Sequence, residues 1–168
     1  NWRMLEMQAV IGRIQLRRMA EWTRHRQANA SRLSQALLPF VGEGGAVRLP
    51  GFGCASCLGH CAAAGCEHAQ YKFYVYVRPE NLAPGWSRDR IIEAINAEGV
   101  PCYQGSCSEV YLEKAFDDTG WRPSHRLPVA RELGETSLMF LVQPTLTEAE
   151  ISKTSAVIQQ VIYQASKN

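Results

Sequence analysis

Lys72-Phe73-Tyr74-Val75-Tyr76-Val77-Arg78 alternates strictly, with Phe73, Val75 and Val77 on one face and Tyr74 and Tyr76 on the other. Period-two alternation of β-branched and aromatic residues is the signature of a strand. Because both faces are apolar, the strand should lie in the interior of a sheet. Pro79, which cannot donate to a ladder, should stop it.

On the C-terminal side, Ser87 is placed to cap a helix from Arg88 to Glu98, and Gly99 to end it in the left-handed region that glycine tolerates best. Val100–Gln104 and Thr136–Val142 read as two further strands. Thr147-Glu148-Ala149-Glu150 is a capping box, in which the hydroxyl serves the third helical amide and the carboxylate reaches back to the cap. The helix it opens should run to about Ala165, burying Ile151, Ile158, Val161 and Ile162.

On the N-terminal side, Met4, Met7, Ile11 and Ile14 recur at spacings of three and four, and Trp22, Leu33 and Leu37 continue the apolar positions. One bent helix or two helices are expected over residues 4–38, with the change of phase near Met19–Thr23. Pro39 and Gly42-Glu43-Gly44-Gly45 close this region. Too few strands alternate with helices for a doubly wound sheet. The fold class is α+β: a small, mostly antiparallel sheet packed with helices, preceded by a long N-terminal helical arm.

Composition is consistent with one folded unit. The 168 residues are 46% hydrophobic and 20% charged, and a chain of this size buries roughly 70% of its unfolded surface. The net charge of +2 is too small to imply a nucleic-acid partner. Residues 1–40 hold seven arginines against two glutamates, which reads as a solvated or partner-covered face, since no aromatics interleave with the arginines to stack bases. No run of 18 apolar residues and no signal-peptide pattern is present, so neither a membrane partner nor export is expected, and a cytoplasmic location is the default.

Several stretches resemble, in order, segments of the DegT/StrS-type aminotransferases. Asn1-Trp2-Arg3-Met4 running into Gln8-Ala9-Val10-Ile11-Gly12 and Gln15-Leu16 is similar to the family's N-x-R-M…Q-A-x-I-G-x-x-Q-L segment. His68-Ala69-Gln70-Tyr71 resembles its H-A-x-Y strand entry, and Arg88-Asp89 with Gly99-Val100 its R-D-helix-G-V unit. Leu127-Pro128-Val129-Ala130 with Leu146-Thr147…Glu150-Ile151 resembles its closing run.

The resemblance implies the C-terminal small domain of a fold-type I, pyridoxal-phosphate (PLP)-dependent nucleotide-sugar aminotransferase. The activity implied for the intact enzyme is transfer of an amino group, from glutamate as donor, to a keto sugar nucleotide in lipopolysaccharide or other surface-polysaccharide biosynthesis. Residues 1–40 would be the helical arm, 42–67 a Cys-rich loop insertion where the resemblance lapses, and 68–168 the α+β body.

The resemblance also implies partners and site residues. An N-terminal PLP domain and a second copy of the chain are the expected partners. Asn1 matches the family asparagine that bonds the phosphate of the cofactor held by the other subunit, and Arg3 could add a charge-assisted bond. Read from the residues alone, the simpler account is that Asn1 caps the first helix and Arg3 pairs with Glu6. Many members carry a Y-x-P-x-H loop that reads the sugar, and here that stretch lacks the proline and the histidine. Ser106 and Tyr111 are the candidate substrate contacts by position. The lysines are Lys72, Lys114, Lys153 and Lys167, and none sits in the serine-rich turn of the family's Schiff-base lysine, so this chain alone should be inactive.

Cys54, Cys57, Cys61 and Cys66, with His60 and His68 nearby, fall within fifteen residues and include one C-x2-C pair. Short loops of this kind can close thiolates around a structural zinc. A reduced cysteine-rich loop and a disulfide remain open readings, and so does a different class of protein, a free-standing zinc-binding interaction module. Cys102 and Cys107 are expected to be small buried hydrophobes.

Overall fold

The computed structural model describes residues 3–50, 68–105 and 107–167. Asn1, Ser106 and the four cysteines 54, 57, 61 and 66 lie outside the described residues. The elements in chain order are α1 (Glu6–Leu37), β1 (Val47–Arg48), β2 (Phe73–Val77), α2 (Arg88–Ala97), β3 (Cys102–Tyr103), α3 (Pro128–Thr136), β4 (Ser137–Phe140) and α4 (Glu148–Ala165).

The four strands form one antiparallel sheet in the order β1-β2-β4-β3. The register opposes Phe73 to Phe140, Val75 to Leu138, Val47 to Val77 and Cys102 to Phe140. These side chains therefore share one face, and all are buried there with Ile91, Ile95, Ile158 and Ile162. The other face carries Tyr74 opposite Met139, Tyr76 opposite Ser137 and Tyr103 opposite Met139. β2 is internal, as its two apolar faces require.

Local chemistry sets the ends of the helices as expected. Ser87 Oγ accepts from the Arg90 amide at 3.2 Å, and Gly99 turns out of α2 at φ 72°. Thr147 and Glu150 make the reciprocal capping box of α4, at 3.2 Å and 2.7 Å. α1 is a single helix that runs through Met19–Thr23 without interruption. What changes there is its surroundings. Ala30, Leu33, Ala36 and Leu37 are buried, while Met4, Met7, Ile11, Ile14 and Met19 are exposed. Asn29 Nδ2 donates to the Gln143 carbonyl at 3.2 Å, and Arg32 pairs with Glu148, so the C-terminal half of α1 is the docked half.

Two elements carried no clear sequence signal. β1 lies within the stretch expected to be a loop insertion, and its two residues pair with β2 because the Arg78 guanidinium holds the preceding turn by the Gly42 and Gly45 carbonyls. Gly45 permits that turn, since a Cβ there would lie 2.3 Å from the Phe40 carbonyl oxygen. α3 was legible only as a motif, although Pro128 occupies the first-turn position where a missing N–H costs nothing.

Candidate substrate-facing site

The chain leaves the sheet after β3 and returns at α3, and the excursion between them is fixed at its root by side chains from three elements. Ser137 Oγ donates to the Gln104 carbonyl. Gly105 follows at φ 92°, and a Cβ there would meet Ser137 Oγ at 2.8 Å and Tyr74 Cε1 at 3.1 Å, so a glycine is needed for both backbone and space. Arg88, whose side chain is only 13% exposed, pairs with Asp89 at 2.7 Å and donates to the Gly134 and Ser137 carbonyls at 2.9 and 3.3 Å. Gln104 Nε2 reaches Asp89 at 3.4 Å. The Arg88-Asp89 pair thus ties α2, α3 and β4 together at the base of the excursion.

Beyond the root, Val110–Leu112 and Lys114–Phe116 form two short 3-10 turns. Tyr111 donates its hydroxyl hydrogen to Glu109 Oε1 at 2.6 Å and accepts from the Leu127 amide at 2.9 Å. Arg126 binds both oxygens of Glu109, with Nε at 2.9 Å from Oε1. The Arg126 guanidinium and the Tyr111 hydroxyl hold the Glu109 carboxyl down to about 2, so it is ionised throughout the ordinary pH range. Withdrawal from water, and then the bond to Glu109, push the Tyr111 phenol up. Arg122 clamps the tip, donating to the carbonyls of Tyr111, Leu112 and Glu113 at 2.9, 3.1 and 3.2 Å and pairing with Asp117 at 2.5 Å.

A cleft of about 470 Å³ lies against this excursion, lined in part by Gln104, Cys107, Glu113, Lys114 and Glu135. Cys107 is exposed there, with Sγ 3.5 Å from Glu113 Oε1, which corrects the expectation of burial. Cys102 is buried as expected, bracketed by Asn96 at 2.9 and 3.0 Å, and burial pushes its thiol up to about 12. A thiol of that kind is inert.

Of the candidate site residues, the structure describes Arg3 and Tyr111. Arg3 is exposed, just ahead of α1. Tyr111 belongs to the excursion between β3 and α3, and its hydroxyl is engaged by Glu109 and Leu127. The Glu109–Arg126 pair has no signal in the sequence, because residues 17 positions apart in an irregular stretch share no periodicity. Among the described residues no three His, Cys, Asp or Glu side chains converge as a metal site, and no helix is long and apolar enough to cross a membrane.

The model of the DegT/DnrJ/EryC1/StrS aminotransferase family matches residues 1–160, and the chain belongs to that family. Among solved structures it is similar to an aminotransferase from Psychrobacter cryohalolentis, with 55% identity and a TM-score of 0.87 over 97% of this chain and 40% of that one. DesV of S. venezuelae shares the fold at 20% identity and a TM-score of 0.74, over 95% of this chain and 37% of that one. A family aminotransferase from Brucella abortus shares it at 22% identity and a TM-score of 0.67, over 94% and 36% of the two chains. The chain thus spans about 40% of the length of the Psychrobacter protein. No curated protein matches it.

Proposed function

We propose that this chain is the C-terminal domain of a PLP-dependent aminotransferase that moves an amino group from glutamate to a keto sugar nucleotide, in the making of lipopolysaccharide or a related surface polysaccharide. Membership of the family over residues 1–160 carries the reading, supported by 55% identity to an aminotransferase of greater length. The remaining part of the enzyme, N-terminal to Asn1, would bring the PLP domain and the Schiff-base lysine. The working protein would be a cytoplasmic homodimer.

The donors of this chain suit the cofactor's phosphate. Arg3 is an exposed guanidinium, and the Asn1 amide can donate to a phosphate oxygen without altering the charge. When bound, PLP would supply the electron sink for the exchange of the amino group. The part left to this domain is to hold the phosphate across the subunit boundary and to present the sugar.

The intact protein, incubated with PLP, glutamate and a keto sugar nucleotide, should form the amino sugar, while the isolated chain should form none. Asn1→Ala in the intact protein should weaken cofactor retention by about 1.5–3 kcal/mol, the worth of a hydrogen bond to a charged group. Equilibrium dialysis of PLP measures it. Unchanged affinity in the variant would remove Asn1 from the site, and absence of any amino sugar from the intact protein would remove the function.

The cysteine-rich stretch adds a structural proposal: Cys54, Cys57, Cys61 and Cys66 close around one zinc ion. Protein kept reduced and free of chelators should then hold about one zinc per chain, as for a closed four-ligand site, and Cys57→Ser should lose it. Elemental analysis that finds no zinc leaves a loop of free thiols. Zinc alone would not return the chain to the class of interaction modules, since the family match favours the enzyme.

A further inference from the structure

The stretch from Gly105 to Leu127 exceeds the roughly 12–15 residues beyond which ordered loops without regular structure are uncommon and usually functional. Its described residues form only 3-10 turns, so its shape rests on side chains. Glu109, Tyr111 and Arg126 close the beginning of the excursion onto its end, through the Tyr111 hydroxyl at 2.6 and 2.9 Å and the two-point Glu109-Arg126 pair. The Glu109 side chain is 11% exposed and that of Arg126 45%, so the pair is open to solvent on the arginine side and owes its hold to the two-point geometry more than to burial.

Resting on the aminotransferase reading above, we propose that Glu109, Tyr111 and Arg126 are positioning residues that hold the excursion in one shape, so that Gln104, Cys107, Glu113 and Lys114 present fixed polar groups to the sugar ring of the substrate. The 470 Å³ cleft is within the range of about 300–1,000 Å³ typical of small-molecule sites. Arg126 is neutralised by Glu109, and Glu135 by Arg131 at 2.8 Å, which leaves Glu113 and Lys114 as opposite charges along the cleft. With no net positive charge the cleft offers little to hold a diphosphate, and it suits an uncharged ligand rich in hydroxyls, which both donate and accept. The sugar end of a nucleotide sugar therefore fits this cleft, and its diphosphate does not.

The test uses the intact protein with Tyr111→Phe, which removes one hydroxyl and keeps the ring, and with Glu109→Gln, which keeps the volume. Amide hydrogen exchange over residues 107–127 reads the latch without any need for turnover, and should quicken about tenfold in both variants as local opening becomes easier. In turnover, KM for the keto sugar nucleotide should rise about tenfold from the loss of orientation, while kcat stays within about threefold and KM for the amino donor does not move. Unchanged exchange would overturn the latch. Faster exchange with an unchanged sugar KM, or equal rises in both KM values, would overturn the assignment to the sugar. If the unsubstituted protein does not transaminate, the aminotransferase reading falls and the sugar assignment with it, whereas the exchange result still judges the latch alone.

Discussion

Phe140→Ala is expected to cost about 3–5 kcal/mol of folding stability, the range for removing a large aromatic from a close-packed core. Phe140 is 0% exposed and stands on β4, opposite Phe73 of β2 on one side and Cys102 of β3 on the other. It belongs to the same cluster as the inward isoleucines of α2 and α4, so the void left behind would be walled by sheet and helices that cannot all close on it. Domain stability is commonly about 5–15 kcal/mol, so this one change could consume much of it. Urea denaturation should show the midpoint falling sharply, with Val129→Ala, on a residue 65% exposed, as the control expected to stay within about 0.5 kcal/mol. A loss below about 1 kcal/mol in Phe140→Ala would mean that the sheet-helix interface is not the core of this chain.

The isolated chain is expected to self-associate through the N-terminal half of α1, and Ile11→Glu with Ile14→Glu should convert it to monomer. Met7 is 75% exposed, Ile11 53% and Ile14 43%, on one stripe of a helix whose docked half begins only after Thr23. A contiguous apolar surface of more than a few hundred Å² ordinarily finds a partner. A two-fold dimer is the simplest closed solution, since each copy offers the same stripe. Light scattering at high concentration reads the outcome. A monomeric parent would count against this surface, and so would a dimer indifferent to both glutamates.

The strand Phe73–Val77 and the two capped helices were legible because their signals are local. Alternation specifies faces, Ser87 and Thr147 satisfy amides three residues away, and Gly99 supplies a backbone that other residues resist. The phase change near Met19–Thr23 was also visible, but its meaning was not. It marks where α1 begins to dock on the body and involves no break in the helix, because periodicity reports which residues are apolar and not what covers them. Cys107 misled for the same reason: a small apolar residue in a loop can face either way until the loop is placed.

The sequence by itself determined the family, through short motifs kept in order from Asn1-Trp2-Arg3-Met4 to Glu150-Ile151, and the α+β class, through period and punctuation. Only the tertiary structure decided that Val47–Arg48 joins the sheet, that Arg88 binds three elements at the base of the excursion, and that Tyr111 serves Glu109 and Leu127. These are contacts between residues distant in the chain. Each is made by a side chain whose geometry is fixed only once the sheet register has brought the backbone carbonyls and carboxylates within reach, and no local pattern carries that register.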